Sequence, residues 1–173
     1  MHGRIQRILK HGWQGAKTTR RTISPTLLHK LTQAVAASEQ QHSGQIRICV
    51  EAVLPMSYLW RKAATRQLTR QRALMLFGKL RVWDTEHNNG VLIYLLLAER
   101  AIEVVADRGL NILVEPQHWQ TMVAHMSAAF KAGRFEEGLT DALAQVSALL
   151  IEHFALAPGE TNSNELPDTP LLR

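Results

Sequence analysis

Along residues 45–54, apolar Ile46, Ile48 and Val50 alternate with Arg47 and Glu51, the period of two that predicts a strand, and Pro55 stops it. The stretch "GVLIYLLLAE" (90–99) is apolar almost without interruption, as expected of a central strand covered on both faces. A tight connection, "AERA", leads into "IEVVADRG", which reads as a further strand antiparallel to it.

Between and around these runs the spacing changes to that of helices. Ser24 and Pro25 form a start signal, with Leu27, Leu28, Leu31, Ala34 and Val35 as the buried stripe and Gly44 suited to the end. Residues 58–77 read as one long helix resting on Leu59, Trp60, Ala63, Ala64, Leu68, Leu74 and Phe77. Glu115-Pro116 opens a helix carrying Trp119, Met122, Met126 and Phe130, and a last helix carries Leu139, Leu143, Val146, Leu150 and Phe154. The order helix, strand, helix, strand, strand, helix, helix predicts an α/β fold, a three-layer α/β/α sandwich around a small mixed β-sheet. Its strand–helix–strand unit should be parallel and right-handed.

This organisation leaves a basic segment at 1–23, a domain at 24–154 and a Pro- and polar-rich tail at 155–173 that is expected to lack fixed structure. The first segment places Ile5, Ile8, Leu9 and Trp13 near one helical face with Arg4, Arg7 and Lys10 around it. That pattern is a short basic amphipathic helix, either a weak membrane-surface contact or a helix lying on its own domain.

Composition narrows the function classes. A formal net charge of +5 and a pI near 9.8 point to anionic partners: a membrane surface, nucleic acid or an acidic protein. Charge alone, with no recognised module, makes nucleic acid unlikely as a partner. The single cysteine, Cys49, excludes an internal disulfide and a Cys-based zinc site. The apolar run at 91–98 is far short of the roughly 20 residues that span a bilayer, and no apolar stretch of a secretory signal follows the basic start. The expected location is therefore cytoplasmic, with peripheral contact to the inner membrane. No phosphate loop, nucleophile elbow or zinc motif is present.

Two sets of residues carry candidate chemistry. On the helix at 58–77, spacing puts Lys62, Arg66 and Arg70 in one basic row, read either as a solvated face or as a docking face for an acidic partner. The second set follows from topology. The loop "VWDTEHNNGV" (82–91) launches the second strand, and the third strand runs back to the same sheet edge, so "ADRG" should become its neighbour. Together they offer Asp84, Glu86, Asn89 and Asp107, with Asn88, Gly90, Arg108 and Gly109 in support. Carboxylate and amide oxygens are ligands that calcium or magnesium takes. The competing reading is structural: Asn89-Gly90 shapes a turn while Asp107 and Arg108 pair or cap locally. The opposite edge, with Glu51, Glu99 and Arg100, reads more as an ion pair than as a site.

The block "LFGKLRVWDTEHNNGVLIYLLLAERAIEVVADRGL", followed by "AFKAGRFEEGL" and a terminal helix ending "HF", resembles the TPM domain family over roughly residues 27–154. The family takes its name from a thylakoid lumen protein, a photosystem II protein and a modulator of a levamisole receptor. The likeness is to the bacterial subgroup that lacks a signal peptide and a membrane helix. It implies an α/β/α sandwich; some members are acid phosphatases using a divalent metal, often calcium, and others are accessories in membrane complexes. It also implies a membrane-associated partner, a LemA-like protein or another TPM protein. The family's strand start is matched by Asn89, Gly90 and Val91, and its acidic-Arg turn by Glu99-Arg100. Asn111 stands where phosphatase-like members carry a Glu, and "VEPQ" supplies no further Asp. The resulting expectation is a non-catalytic interaction module; the alternative is a metal-dependent phosphatase at the Asp84/Asn89/Asp107 edge.

Overall fold

A computed structural model describes residue 19 and residues 21–173. The basic amphipathic helix expected before them lies outside the described residues. Helix α1 (Pro25–Glu39) starts where Ser24 Oγ accepts the Leu27 N–H at 3.1 Å, with Pro25 in the position whose N–H needs no partner. Strand β1 (Gln45–Glu51) follows, then a one-turn helix α2 (Met56–Leu59) and helix α3 (Thr65–Lys79). Strand β2 (Gly90–Leu96) passes through a short 3-10 turn and Arg100 into β3 (Ala101–Ala106). Helices α4 (Arg108–Asn111), α5 (Pro116–Lys131) and α6 (Phe135–Phe154) come next, and β4 (Leu171–Leu172) closes the order.

The sheet runs β3-β2-β1-β4. Strands β1 and β2 are parallel, Ile46 beside Val91, whereas β2 and β3 are antiparallel, Ile93 beside Val104. Alternation then splits the sheet into two apolar faces. Ile46, Ile48, Val50, Val91, Ile93 and Leu95 pack under α1, α5 and α6, where Leu31, Val35, Met126, Phe130 and Val146 are buried. Cys49, Leu92, Tyr94 and Leu96 face Tyr58 of α2 and Leu68, Ala73 and Leu76 of α3. The protein is an α/β/α sandwich around a mixed four-stranded sheet, and β2 is buried along its whole length.

Two elements differ from the expectation. The helix predicted at 58–77 is broken between Leu59 and Thr65. In a straight helix residues 58 and 72 would be about 21 Å apart; here the Arg72 guanidinium carbon lies 5.5 Å from the Tyr58 ring centre. The chain folds back so that Tyr58, Leu59 and Leu68 all reach the same core. The break removes Lys62 from the basic row, because it precedes α3, and leaves Arg66 and Arg70 one turn apart on that helix.

The tail at 155–173, expected to lack structure, is a strap along the outer edge of β1. Leu171 and Leu172 pair parallel with Cys49 and Val50, and Arg173 exchanges backbone hydrogen bonds with Val50 and Ala52. The reason lies on β1 itself. Helix α3 packs mainly over β2 and β3 and reaches β1 at Glu51 through Arg72, which leaves the Gln45 and Arg47 end of that face to another cover. Those polar side chains are buried all the same, and the backbone of the strap supplies most of their hydrogen-bond partners.

Candidate functional site

The loop between α3 and β2 is built on its own residues. The Asn88 N–H reaches the Thr85 carbonyl at 3.1 Å, the Asn89 N–H reaches Thr85 Oγ1 at 3.2 Å, and Asn88 takes a left-handed conformation with φ 52°. Gly90 begins β2 so close to the Val82 backbone that a Cβ there would run into the Val82 carbonyl oxygen.

The topology does bring "ADRG" beside this loop. The Asp107 N–H donates to the Gly90 carbonyl at 2.9 Å and the Gly109 N–H to the Asn88 carbonyl at 2.8 Å. Arg108 Nε donates to Asn88 Oδ1 at 3.1 Å. Any side chain at Gly109 would collide with the Asn88 and His87 carbonyls.

The acids of the set are spread out. Asp84 is exposed and paired with Arg81 at 3.1 Å. Glu86 is exposed, its N–H donating to the Glu165 carboxylate of the strap at 3.2 Å. It lines a cavity of about 440 Å³ with His87, Glu160, Glu165 and strap residues 161–163. Asp107 is buried and caps α4, its Oδ1 accepting the Arg108 N–H at 2.7 Å. Asn89 is fully buried, its amide donating to Ser43 Oγ at 3.2 Å. Among the described residues no three His, Cys, Asp or Glu side chains are arranged to hold a metal ion. Two buried oxygens, Asn89 Oδ1 and Asp107 Oδ2, nevertheless have no hydrogen-bond partner.

The basic row has a partner within the fold. Arg70 Nη1 donates to the Val104 carbonyl at 2.8 Å and pairs with Glu103 at 3.4 Å, while Arg66 stays exposed. Burial raises the Glu103 carboxyl above its ordinary range, and the Arg70 charge opposes that rise.

The opposite edge is not the surface ion pair that its sequence suggested. Glu51 is buried and takes Arg72 Nε at 2.8 Å, Arg72 Nη2, and the Tyr94 hydroxyl at 2.8 Å, with Arg173 Nε 3.7 Å away. Arg100, the expected partner, instead donates to the Lys131 carbonyl at 2.7 Å. Burial, then the Glu51 charge, pushes the Tyr94 hydroxyl far above its usual range, and Cys49 beside them is pushed up to about 12 by burial, so it stays a thiol. Arg72, Tyr94 and Arg173 are residues that spacing did not bring to notice. The one hint was a glutamate, Glu51, at a strand position whose neighbours are apolar.

A third polar cluster joins α1 to β1. The Glu39 carboxylate accepts the Ile46 N–H at 2.7 Å; burial, against that bond and with the nearby Asp168 charge, pushes it up to about 7. His42 is fully buried between the Gly44 carbonyl at 3.2 Å and Ser38 Oγ at 2.7 Å, and burial holds it down to about 4.

The sequence pattern of the TPM domain matches residues 18–149. The chain belongs to the TPM domain family. As a TPM domain it is similar to the BA42 protein of the psychrophilic bacterium Bizionia argentinensis, with 25% identity and a TM-score of 0.71 over 86% of this chain and 93% of that one. It is also similar in fold to the N-terminal domain of a P. gingivalis protein, at 19% identity and a TM-score of 0.56, covering 78% and 82% of the two chains. No curated protein matches it. In this TPM domain Asn111 is exposed at the end of α4, with its N–H on the Asp107 carbonyl at 2.8 Å.

Proposed function

We propose that this TPM domain is a non-catalytic interaction module, an accessory to a membrane-associated complex. The observation that carries the reading is the surface where α2 breaks from α3. Met56 and Trp60 are 56% and 58% exposed there, with Arg61, Lys62 and Arg66 exposed around them. Aromatic, Met and Arg side chains are enriched in protein interfaces, and Trp beside cations suits a lipid–water boundary. The partner is an anionic membrane surface or a membrane-associated protein, such as a LemA-like or second TPM protein, met from the cytoplasmic side. No helix among the described residues is long and apolar enough to cross a membrane, so attachment through them would be peripheral.

Vesicles containing phosphatidylglycerol test the lipid version. The native protein should co-sediment at low salt and be released at high salt. A Trp60→Ala, Lys62→Glu, Arg66→Glu variant should bind roughly tenfold or more weakly with an unchanged melting temperature. A native protein that stays in the supernatant at low salt, or a variant that binds equally well, would rule the lipid surface out.

A second reading is favoured by the two unpaired oxygens, Asn89 Oδ1 and Asp107 Oδ2, on residues flanking the Asp107–Gly90 backbone bond. They supply a carboxylate and an amide ligand, and a calcium or magnesium ion there would polarise a phosphoryl oxygen as a Lewis acid. Millimolar calcium should then raise the melting temperature, and Asp107→Asn should abolish the rise. Identical melts with and without either ion, and no turnover of an aryl phosphate, would remove the phosphatase alternative.

A further inference from the structure

The strap shows that the outer edge of β1 is built to hold an extended segment of polypeptide. Gln45 reads backbone on three atoms: its Oε1 accepts the Glu165 and Leu166 N–H groups at 2.9 and 3.0 Å, and its Nε2 donates to the Ser163 carbonyl at 3.2 Å. Arg47, 8% exposed, holds the Pro167 and Thr169 carbonyls with one nitrogen. The β1 backbone then takes over through Val50 and Ala52, and Leu171 and Leu172 fall into the two apolar clusters on either side of the sheet. The hydrogen bonds named here all fall on the main chain of the strap, the mode by which a sheet edge accepts an added strand, while the leucines fill apolar pockets beside it.

The connection that delivers the strap is a separate, exposed turn. Residues 157–160 are all exposed, and the turn is closed by its own bonds, Glu160 N–H to the Ala157 carbonyl and Ala157 N–H to Glu160 Oε2. Gly159 in it has φ 89°. Reopening that turn breaks no contact of the core, and the strap of a second copy carries by identity every group that the groove reads. Exchange of one such element between identical chains is a low-cost route to a dimer.

We propose that the β1 edge is an acceptor groove in trans as well as in cis, and that two copies of this chain exchange the segment at 163–173. This surface lies on a different element from α2 and α3, so the proposal stands independently of the function proposed above.

The register supplies the test. Cys49 is the sole cysteine and the neighbour of Leu171 in the paired strands, both side chains lying in the same apolar cluster. Strands about 4.8 Å apart are within disulfide range. A donor chain carrying Cys49→Ala and Leu171→Cys has a thiol only on its strap, and the native chain has one only in its fully buried groove. Co-refolded from urea at high concentration and oxidised, the two should give a covalent heterodimer joined by one disulfide. Arg47→Ala or Gln45→Ala in the acceptor should reduce its yield severalfold, which a chance thiol encounter would not show. Leu171→Cys alone, on the native Cys49, is the control for pairing in cis and should close an intrachain disulfide. Closure in cis with no heterodimer from the mixture would overturn exchange. Failure to close in cis would overturn the strand pairing on which the proposal stands.

Discussion

Replacing Arg72 by alanine is expected to cost about 3–5 kcal/mol of folding stability, read as a lowered midpoint in urea at unchanged slope. The magnitude follows from what is left behind. Glu51 is 4% exposed and receives two of its hydrogen bonds from that one guanidinium. Tyr94 still donates to it, but an unpaired buried carboxylate remains, and Arg173 at 3.7 Å is the nearest replacement charge. A double variant, Glu51→Leu with Arg72→Met, removes both charges together and should lose far less, because desolvating the pair consumes much of what their attraction returns. Equal losses in the single and double variants would show that shape, not charge, holds α3 against β1.

Glu39→Gln should change the pH dependence of stability strongly between about pH 4.5 and 8. The folded-state pKa of Glu39 is raised to about 7 by burial, so the folded protein holds its proton longer than the unfolded chain does. Its effect on stability is therefore most favourable below the ordinary 4.5 and declines as pH rises to 7. His42 runs the other way. Its pKa is lowered from 6.5 to about 4, so its contribution is full above 6.5 and is lost as pH falls to 4. Between about pH 4.5 and 6.5 the two slopes oppose each other, and the native chain should be nearly flat. With glutamine at 39, which still accepts the Ile46 N–H, only the histidine slope remains. The variant should exceed the native protein by on the order of 3 kcal/mol at pH 8 and match it near pH 4.5. Urea denaturation across pH 4–8 reads this directly. A variant that tracks the native protein at pH 8 would mean that Glu39 is ionised in the fold at no cost.

Much of the fold was legible in short-range pattern. Period-two alternation located β1, unbroken apolarity located β2, and the return strand followed from its tight connection. Topology alone places Asp107 beside Asn89, since a parallel crossover followed by an antiparallel return leaves no other edge for it. The roles within that site were less legible. Local capping was one of the two readings of Asp107, but spacing did not choose between them, and nothing local says that Asn89 is buried against Ser43.

Short-range pattern was enough to set the layers, the strand directions and the edge on which the polar loops meet. All of these depend on periods of two and 3.6 residues and on turn chemistry within a few positions. Tertiary structure alone decided the rest: the break before α3, the burial of Glu51 with Arg72, and the strap over β1. Each joins groups far apart along the chain, Tyr58 with Arg72, Gln45 with Glu165, and Val50 with Arg173. A polar side chain reads the same in sequence whether water or a distant backbone will satisfy it. At Gln45 and Arg47 of β1 the strap made that choice, and a tail that looked unstructured became the partner of these buried polar groups.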